Sequence, residues 1–143
     1  MPDDTTTPGY FRWNAGGWFG GQLGGTAWLF VGAVVLVPSA IGVAVVWLAC
    51  FTVANVVGAW LWFRRDRIRA YPAIQLLLVT CGVSGLVAWL ALDALGSDAA
   101  RVLASPRQGY LAMLIVPAMM AWFAVMEHAA RSRAMASRTE STP

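Results

Sequence analysis

Four long apolar runs, separated by short polar or charged breaks, make up most of this chain. They cover residues 16–37, 41–63, 72–95 and 110–128. Each is close to the ~20 residues a helix needs to cross about 30 Å of hydrocarbon. Pro38-Ser39-Ala40 is too short for a loop with its own structure and predicts a tight turn between antiparallel helices. Arg64-Arg65-Asp66-Arg67-Ile68-Arg69 is the densest charge in the chain. It divides the apolar part into two halves, each long enough to cross a bilayer and return.

The breaks carry helix signals. Asn14 can cap the first helix. Pro72 suits the first turn of the third, where its missing N–H is not needed. Residues 97–107 read as a short surface helix, with Ser97 as cap and Asp98 in the first turn. Pro117 lies inside the fourth run, the shortest, and predicts a kink. Glu127 and His128 close that run. Residues 1–9 read as disordered and the tail from 129 to 143 as frayed. Tyr10, Phe11 and Trp13 beside Arg12, and Trp60 and Trp62 before the Arg cluster, suit the headgroup layer. The acidic start lacks the basic region of a secretory signal, so the first span is expected to be retained.

Composition agrees with this pattern. The chain has 143 residues, room for one domain, of which 59% are hydrophobic and 12% charged. Soluble domains carry about 25% charge. Mean hydropathy is +0.62. The expected fold is all-α: an integral membrane four-helix bundle made of two transmembrane hairpins. Residues 1–15 form a polar, interfacial N-terminus, 16–128 the spanning domain and 129–143 a tail.

Net charge is +3, and every basic residue is Arg. The Arg residues stand beside apolar spans, which points to lipid headgroups and away from nucleic acid. Of the 10 basic residues, Arg12, Arg64, Arg65, Arg67, Arg69, Arg131, Arg133 and Arg138 fall on one side, leaving Arg101 and Arg107 on the other. The positive-inside rule then puts both termini in the cytoplasm, most simply at a bacterial inner membrane.

Chemistry-bearing groups are scarce. No Asp, Glu, Lys or Arg lies deep in a span, which argues against a proton relay or ion-coupled pump. The paired groups that most enzymes use are missing too. Cys50 and Cys81 form no CxxC motif. Met113, Met119, Met120 and Met126 are helix-spaced packing residues with no His or Cys at depth beside them. His128 is the only histidine, which excludes a bis-His haem site within one chain. It reads as an interfacial residue stabilised by a helix C-terminus. No metal and no cofactor is expected.

Two features remain. Gly16, Gly17, Gly20, Gly21, Gly24 and Gly25 put six glycines in ten residues, as four overlapping GxxxG pairs. Glycines four apart share a helix face and let another backbone come close, within the bundle or between subunits. The second feature is a layer of neutral polar groups. If the first two helices turn at 38–39, Gln22 and Asn55 lie at equal depth, and Thr26 and Thr52 nearly so. If the second and third turn near 67, Asn55 and Thr80 do. Hydrogen bonding among Gln22, Asn55 and Thr80 is therefore expected, because an unpaired polar group in hydrocarbon is costly. Thr52, Asn55 and Gly58 superficially resemble a pattern in bacterial fluoride channels. The Thr-to-Asn spacing differs and the third span lacks that family's Phe/Ser/Thr-rich motif, so no residue is carried over.

The expected function is helix–helix association: an accessory, assembly or self-associating scaffold subunit whose partners are lipid and a membrane protein or its own copy. The alternative is a small homo-oligomeric channel or facilitator for a neutral or anionic solute, lined by the polar layer. An enzyme acting on lipid would have to use Glu127, His128 and the Arg residues at the interface.

Overall fold

The computed structural model describes residues 9–103 and 105–140. The expectations for residues 1–8 and 141–143 lie outside the described residues. All regular structure among those described is helical: α1 Ala15–Leu36, α2 Ile41–Phe63, α3 Ala70–Leu95, α4 Asp98–Leu103, α5 Pro106–Met113 and α6 Ile115–Glu140. Four stretches are long and apolar enough to cross a membrane: α1, α2, α3 and the segment Arg107–Ser137 formed by α5 and α6. The protein is an all-α integral membrane protein.

Local chemistry explains the boundaries. Asn14 Oδ1 accepts the Gly17 N–H at 2.9 Å and so caps α1. The turn after α1 closes where the Ser39 and Ala40 N–H groups reach the Leu36 carbonyl at 3.1 and 2.8 Å. Ser97 Oγ accepts the Ala100 N–H at 3.2 Å at the start of α4. The same hydroxyl donates to the Ser39 carbonyl at 3.0 Å, tying α4 to the α1–α2 turn.

The fourth span differs from its expected bounds. It begins at Pro106 instead of Tyr110 and breaks at Leu114, where the Leu114 N–H bonds Leu111 O at 3.1 Å. Pro117 explains the break: it has no N–H for the Met113 carbonyl, and its ring crowds the preceding turn. The tail expected to fray continues as α6 to Glu140. His128 consequently lies mid-helix, not at a helix C-terminus.

α1, α2 and α3 pack as consecutive antiparallel neighbours, and the fourth span packs on α3. Two apolar clusters result. One joins Leu29, Leu36, Val43, Trp47, Ala88 and Leu92. The other joins Trp18, Leu61, Ala73 and Leu77. In lipid the hydrophobic effect does little to press helices together, so close fit must do it. Gly32 shows such a fit. The Trp47 ring lies in the notch that Gly32 leaves, and its Nε1 donates to Ala88 O at 2.8 Å. One tryptophan thus links three helices. The fourth span is less enclosed: 6% of its apolar window is buried, against 28–33% for the others.

The two ends of the bundle differ. Trp13 Nε1 donates to Ile68 O at 3.1 Å, and the Tyr10 N–H donates to Glu127 Oε2 at 2.8 Å. The N-terminal segment, the 64–69 turn and the middle of α6 therefore meet at one end. The 37–40 turn and α4 meet at the other.

Gly32→Ala should drive a methyl group into the Trp47 ring and destabilise the fold by roughly 1–3 kcal/mol. Gly42→Ala, where an added Cβ meets nothing within 4 Å, should leave stability unchanged or raise it by up to about 1 kcal/mol. Denaturation curves in mixed detergent micelles compare the two.

Candidate functional site

A closed ring of hydrogen bonds joins α1 and α2 between the two apolar clusters. Gln22 Nε2 donates to Asn55 Oδ1 at 3.0 Å and to the Asn55 carbonyl at 2.9 Å. Asn55 Nδ2 donates to Thr26 Oγ1 at 3.1 Å and to Phe51 O at 2.8 Å. Thr26 Oγ1 donates to Gln22 O at 2.9 Å, completing the ring. Gln22 and Thr26 are buried. Room for the Gln22 amide comes from Gly58, where a Cβ would overlap it. The Gly58 carbonyl is taken by Trp18 Nε1 at 3.1 Å. One acceptor, Gln22 Oε1, is buried without a partner among the described residues.

Thr80 and Thr52 stand outside this ring. Thr80 Oγ1 donates to Leu76 O at 2.8 Å and Thr52 Oγ1 to Leu48 O at 2.9 Å, each within its own helix. Equal depth does not fix azimuth. Two residues of helix rotate a side chain by about 160° from its starting face, which turns exposed Thr52 away from buried Ala54. The link from α3 to the fourth span comes instead from Gln75, whose Nε2 donates to Met120 O at 3.2 Å.

The glycine face also lies elsewhere than inside the bundle. Gly16, Gly17, Gly20, Gly21, Gly24 and Gly25 are all exposed. Gly20 and Gly24 sit two residues either side of Gln22 and so about 160° round the helix from it. A Cβ at Gly20, Gly21, Gly24 or Gly25 would meet nothing within 4 Å. Gly16 and Gly17 approach only the capping Asn14.

The Arg cluster forms the turn between α2 and α3. Arg64 lies over the Trp60 ring at 5.2 Å and Arg65 over Trp62 at 5.0 Å, cation–π contacts that hold both beside the aromatic belt. Arg67 and Arg69 are exposed.

One feature escapes the sequence pattern, the burial of Glu127, which is 6% exposed. Its Oε1 meets Arg131 Nη2 at 2.8 Å, and its Oε2 accepts the Tyr10 and Phe11 N–H groups at 2.8 and 3.4 Å. Gly9 permits this approach, since a Cβ there would lie 2.9 Å from Oε1. Phe11 then packs on Phe123 and Tyr71, with centroids at 5.0 and 6.0 Å. An N-terminal strap thus ties the fourth span to α3. The one available signal was the Glu127–Arg131 spacing of four within an acid-poor segment. Trp28, Trp47 and Trp89 pack together with centroids 5.0–6.0 Å apart, Trp28 stacked on Trp89 and Trp47 edge-on to both. Gly109 of α5 abuts the Trp89 ring.

Among the described residues no three His, Cys, Asp or Glu side chains gather as a metal site requires. Comparisons with protein-family models, curated proteins and solved structures give no match.

Asn55→Leu should destabilise the α1–α2 pair by about 1–2 kcal/mol, because it removes the side-chain acceptor of Gln22 Nε2 and the donor to Thr26 Oγ1. Thr52→Val and Thr80→Val should each stay within about 0.5 kcal/mol of the parent. Detergent denaturation midpoints separate these outcomes. Glu127→Ala should release the strap, seen as faster proteolysis around residues 9–13 with α1–α3 still protected.

Proposed function

We propose that this protein works by lateral association in the membrane, as an assembly subunit or self-associating scaffold, with the glycine face of α1 as the contact surface. What carries this reading is where the glycines point. Gly20, Gly21, Gly24 and Gly25 are exposed on a transmembrane helix, and among the described residues nothing lies within 4 Å of where their Cβ atoms would stand. In a helix interior each costs about 1 kcal/mol relative to Ala. A second helix laid along such a face recovers that cost through close backbone approach.

The channel alternative has less support. Its lining was to be Gln22, Asn55 and Thr80, but Gln22 Nε2 donates to Asn55, Asn55 Nδ2 donates to Thr26 and Phe51, and Thr80 bonds within its own helix, so of the two amides only Gln22 Oε1 is left open among the described residues. A ring closed within one α-hairpin suits structural cohesion more than a solute path. For orientation, the proposal puts both termini on the cytoplasmic side of a bacterial inner membrane. The N-terminal segment, the 64–69 turn and α6 bring Arg12, Arg64, Arg65, Arg67, Arg69, Arg131 and Arg133 to one end, which favours the side that retains positive charge.

Native mass spectrometry of gently extracted protein tests the association. The parent should appear as a homo-oligomer or with a stoichiometric membrane partner. Gly20→Leu combined with Gly24→Leu should reduce it to a monomer whose own denaturation curve is unchanged. A monomeric parent, or a double variant that keeps its partner, rejects the proposal.

A further inference from the structure

At the end of the bundle away from the Arg cluster, an open surface groove of about 540 Å³ lies between α3 and α5, lined by Asp93, Arg107, Tyr110, Leu111 and Leu114. Four of these residues are on α5 and the following break, at positions i, i+3, i+4 and i+7. That spacing defines one helix face. The face changes character along its length. Arg107 and Tyr110 stand at the start of α5. Leu111 and Leu114 follow about 6–10 Å deeper at 1.5 Å per residue and are each 62% exposed. Asp93, near the end of α3, flanks the polar part, and Tyr110 Oη donates to its Oδ2 at 3.4 Å.

The charges in the groove are not spent on one another. Among the described residues Arg107 makes no ion pair. The nearby Arg101 is committed: its Nη2 donates to the Asp93 carbonyl at 2.9 Å, and its Nη1 pairs with Asp98 at 3.5 Å. Among the described residues the Asp93 carboxylate has the long Tyr110 contact and no other hydrogen bond. The groove therefore offers a guanidinium, a carboxylate and a phenol at the polar end of the span, with Leu111 and Leu114 as an apolar wall beyond them.

We propose that this groove binds a glycerophospholipid whose headgroup carries both a phosphate and a primary ammonium. Arg107 takes the phosphate, for which a guanidinium is well suited. Asp93 accepts from the ammonium, whose three N–H donors can supply charge-assisted bonds. One acyl chain lies along Leu111 and Leu114. A soluble zwitterion has no use for that lower wall, and a purely anionic headgroup would leave Asp93 facing a phosphate. The site is independent of the glycine face, which lies on another helix, so this proposal can fail while the association stands.

The test uses native mass spectrometry of the full chain in delipidated micelles. The probes are phosphatidylethanolamine, phosphatidylcholine and phosphatidylglycerol with identical acyl chains, and free phosphoethanolamine. Phosphatidylethanolamine should be retained about tenfold more than phosphatidylcholine, whose trimethylated nitrogen has no N–H to donate, a difference the size of one charge-assisted hydrogen bond. Asp93→Asn should bring the two lipids level. Arg107→Gln should weaken both about tenfold. Both side chains are exposed, so the lipid-free variants should melt as the parent does. Equal retention of the first two lipids by the parent overturns the proposal, as does preference for phosphatidylglycerol. Discrimination that survives Asp93→Asn, or displacement of the lipid by millimolar phosphoethanolamine, also overturns it.

Discussion

A side-chain amide inside a bilayer can satisfy its hydrogen-bonding groups only against protein, and this requirement sets how α1 lies on α2. Gln22 reaches both oxygens of Asn55, Asn55 reaches Thr26, and Thr26 returns to Gln22 O. Each bond in such a setting is worth only about 0.6 kcal/mol on average. Their combined effect is to fix register: a slide of one turn would strand several polar groups in hydrocarbon. Gly58 belongs to the same device, because a side chain there would take the space the Gln22 amide fills.

The glycines of this protein do two different jobs. Gly32, Gly58 and Gly109 receive a side chain from a neighbouring helix, and a Cβ at any of them would collide with it. They make the inside of the bundle. Gly20, Gly21, Gly24 and Gly25 receive nothing from the described residues and face outward. The distinction matters because lipid tails are as apolar as the helices. Polarity cannot tell inside from outside, so the shape of a surface carries the information that hydrophobicity carries in water.

That is also why the sequence was legible only in part. Span positions follow from hydropathy, and the Asn14 and Ser97 caps from local chemistry. Pro117 announced the break that occurs at Leu114. Depth could be matched across a tight turn, which paired Gln22 with Asn55. Azimuth could not, because α1, α2 and α3 are apolar nearly all round and lack the two-faced pattern that orients a helix in a soluble protein. Thr80 was expected to join Asn55 and instead bonds Leu76 O within its own helix for this reason. The Glu127–Tyr10 contact lay further out of reach, since residues 117 apart in sequence are joined by tertiary geometry alone.

The fourth span shows the consequence of helices cohering without a hydrophobic drive. It gives up little surface to the bundle; Gln75 and the fit of Gly109 against the Trp89 ring hold it on α3, and Glu127 holds it to the N-terminal segment. A buried carboxylate is tolerable only when most of its acceptor positions are filled. Here the Arg131 guanidinium fills one side, and two consecutive backbone N–H groups of the N-terminal segment fill the other. The carboxylate therefore constrains the strap as firmly as the strap constrains α6. Moving either alone would leave an under-satisfied charge in a poorly hydrated site. The polar ring holds α1 to α2 from within the hydrocarbon layer, while the Glu127 clamp holds the N-terminal strap and the fourth span together at the Arg-bearing end of the bundle.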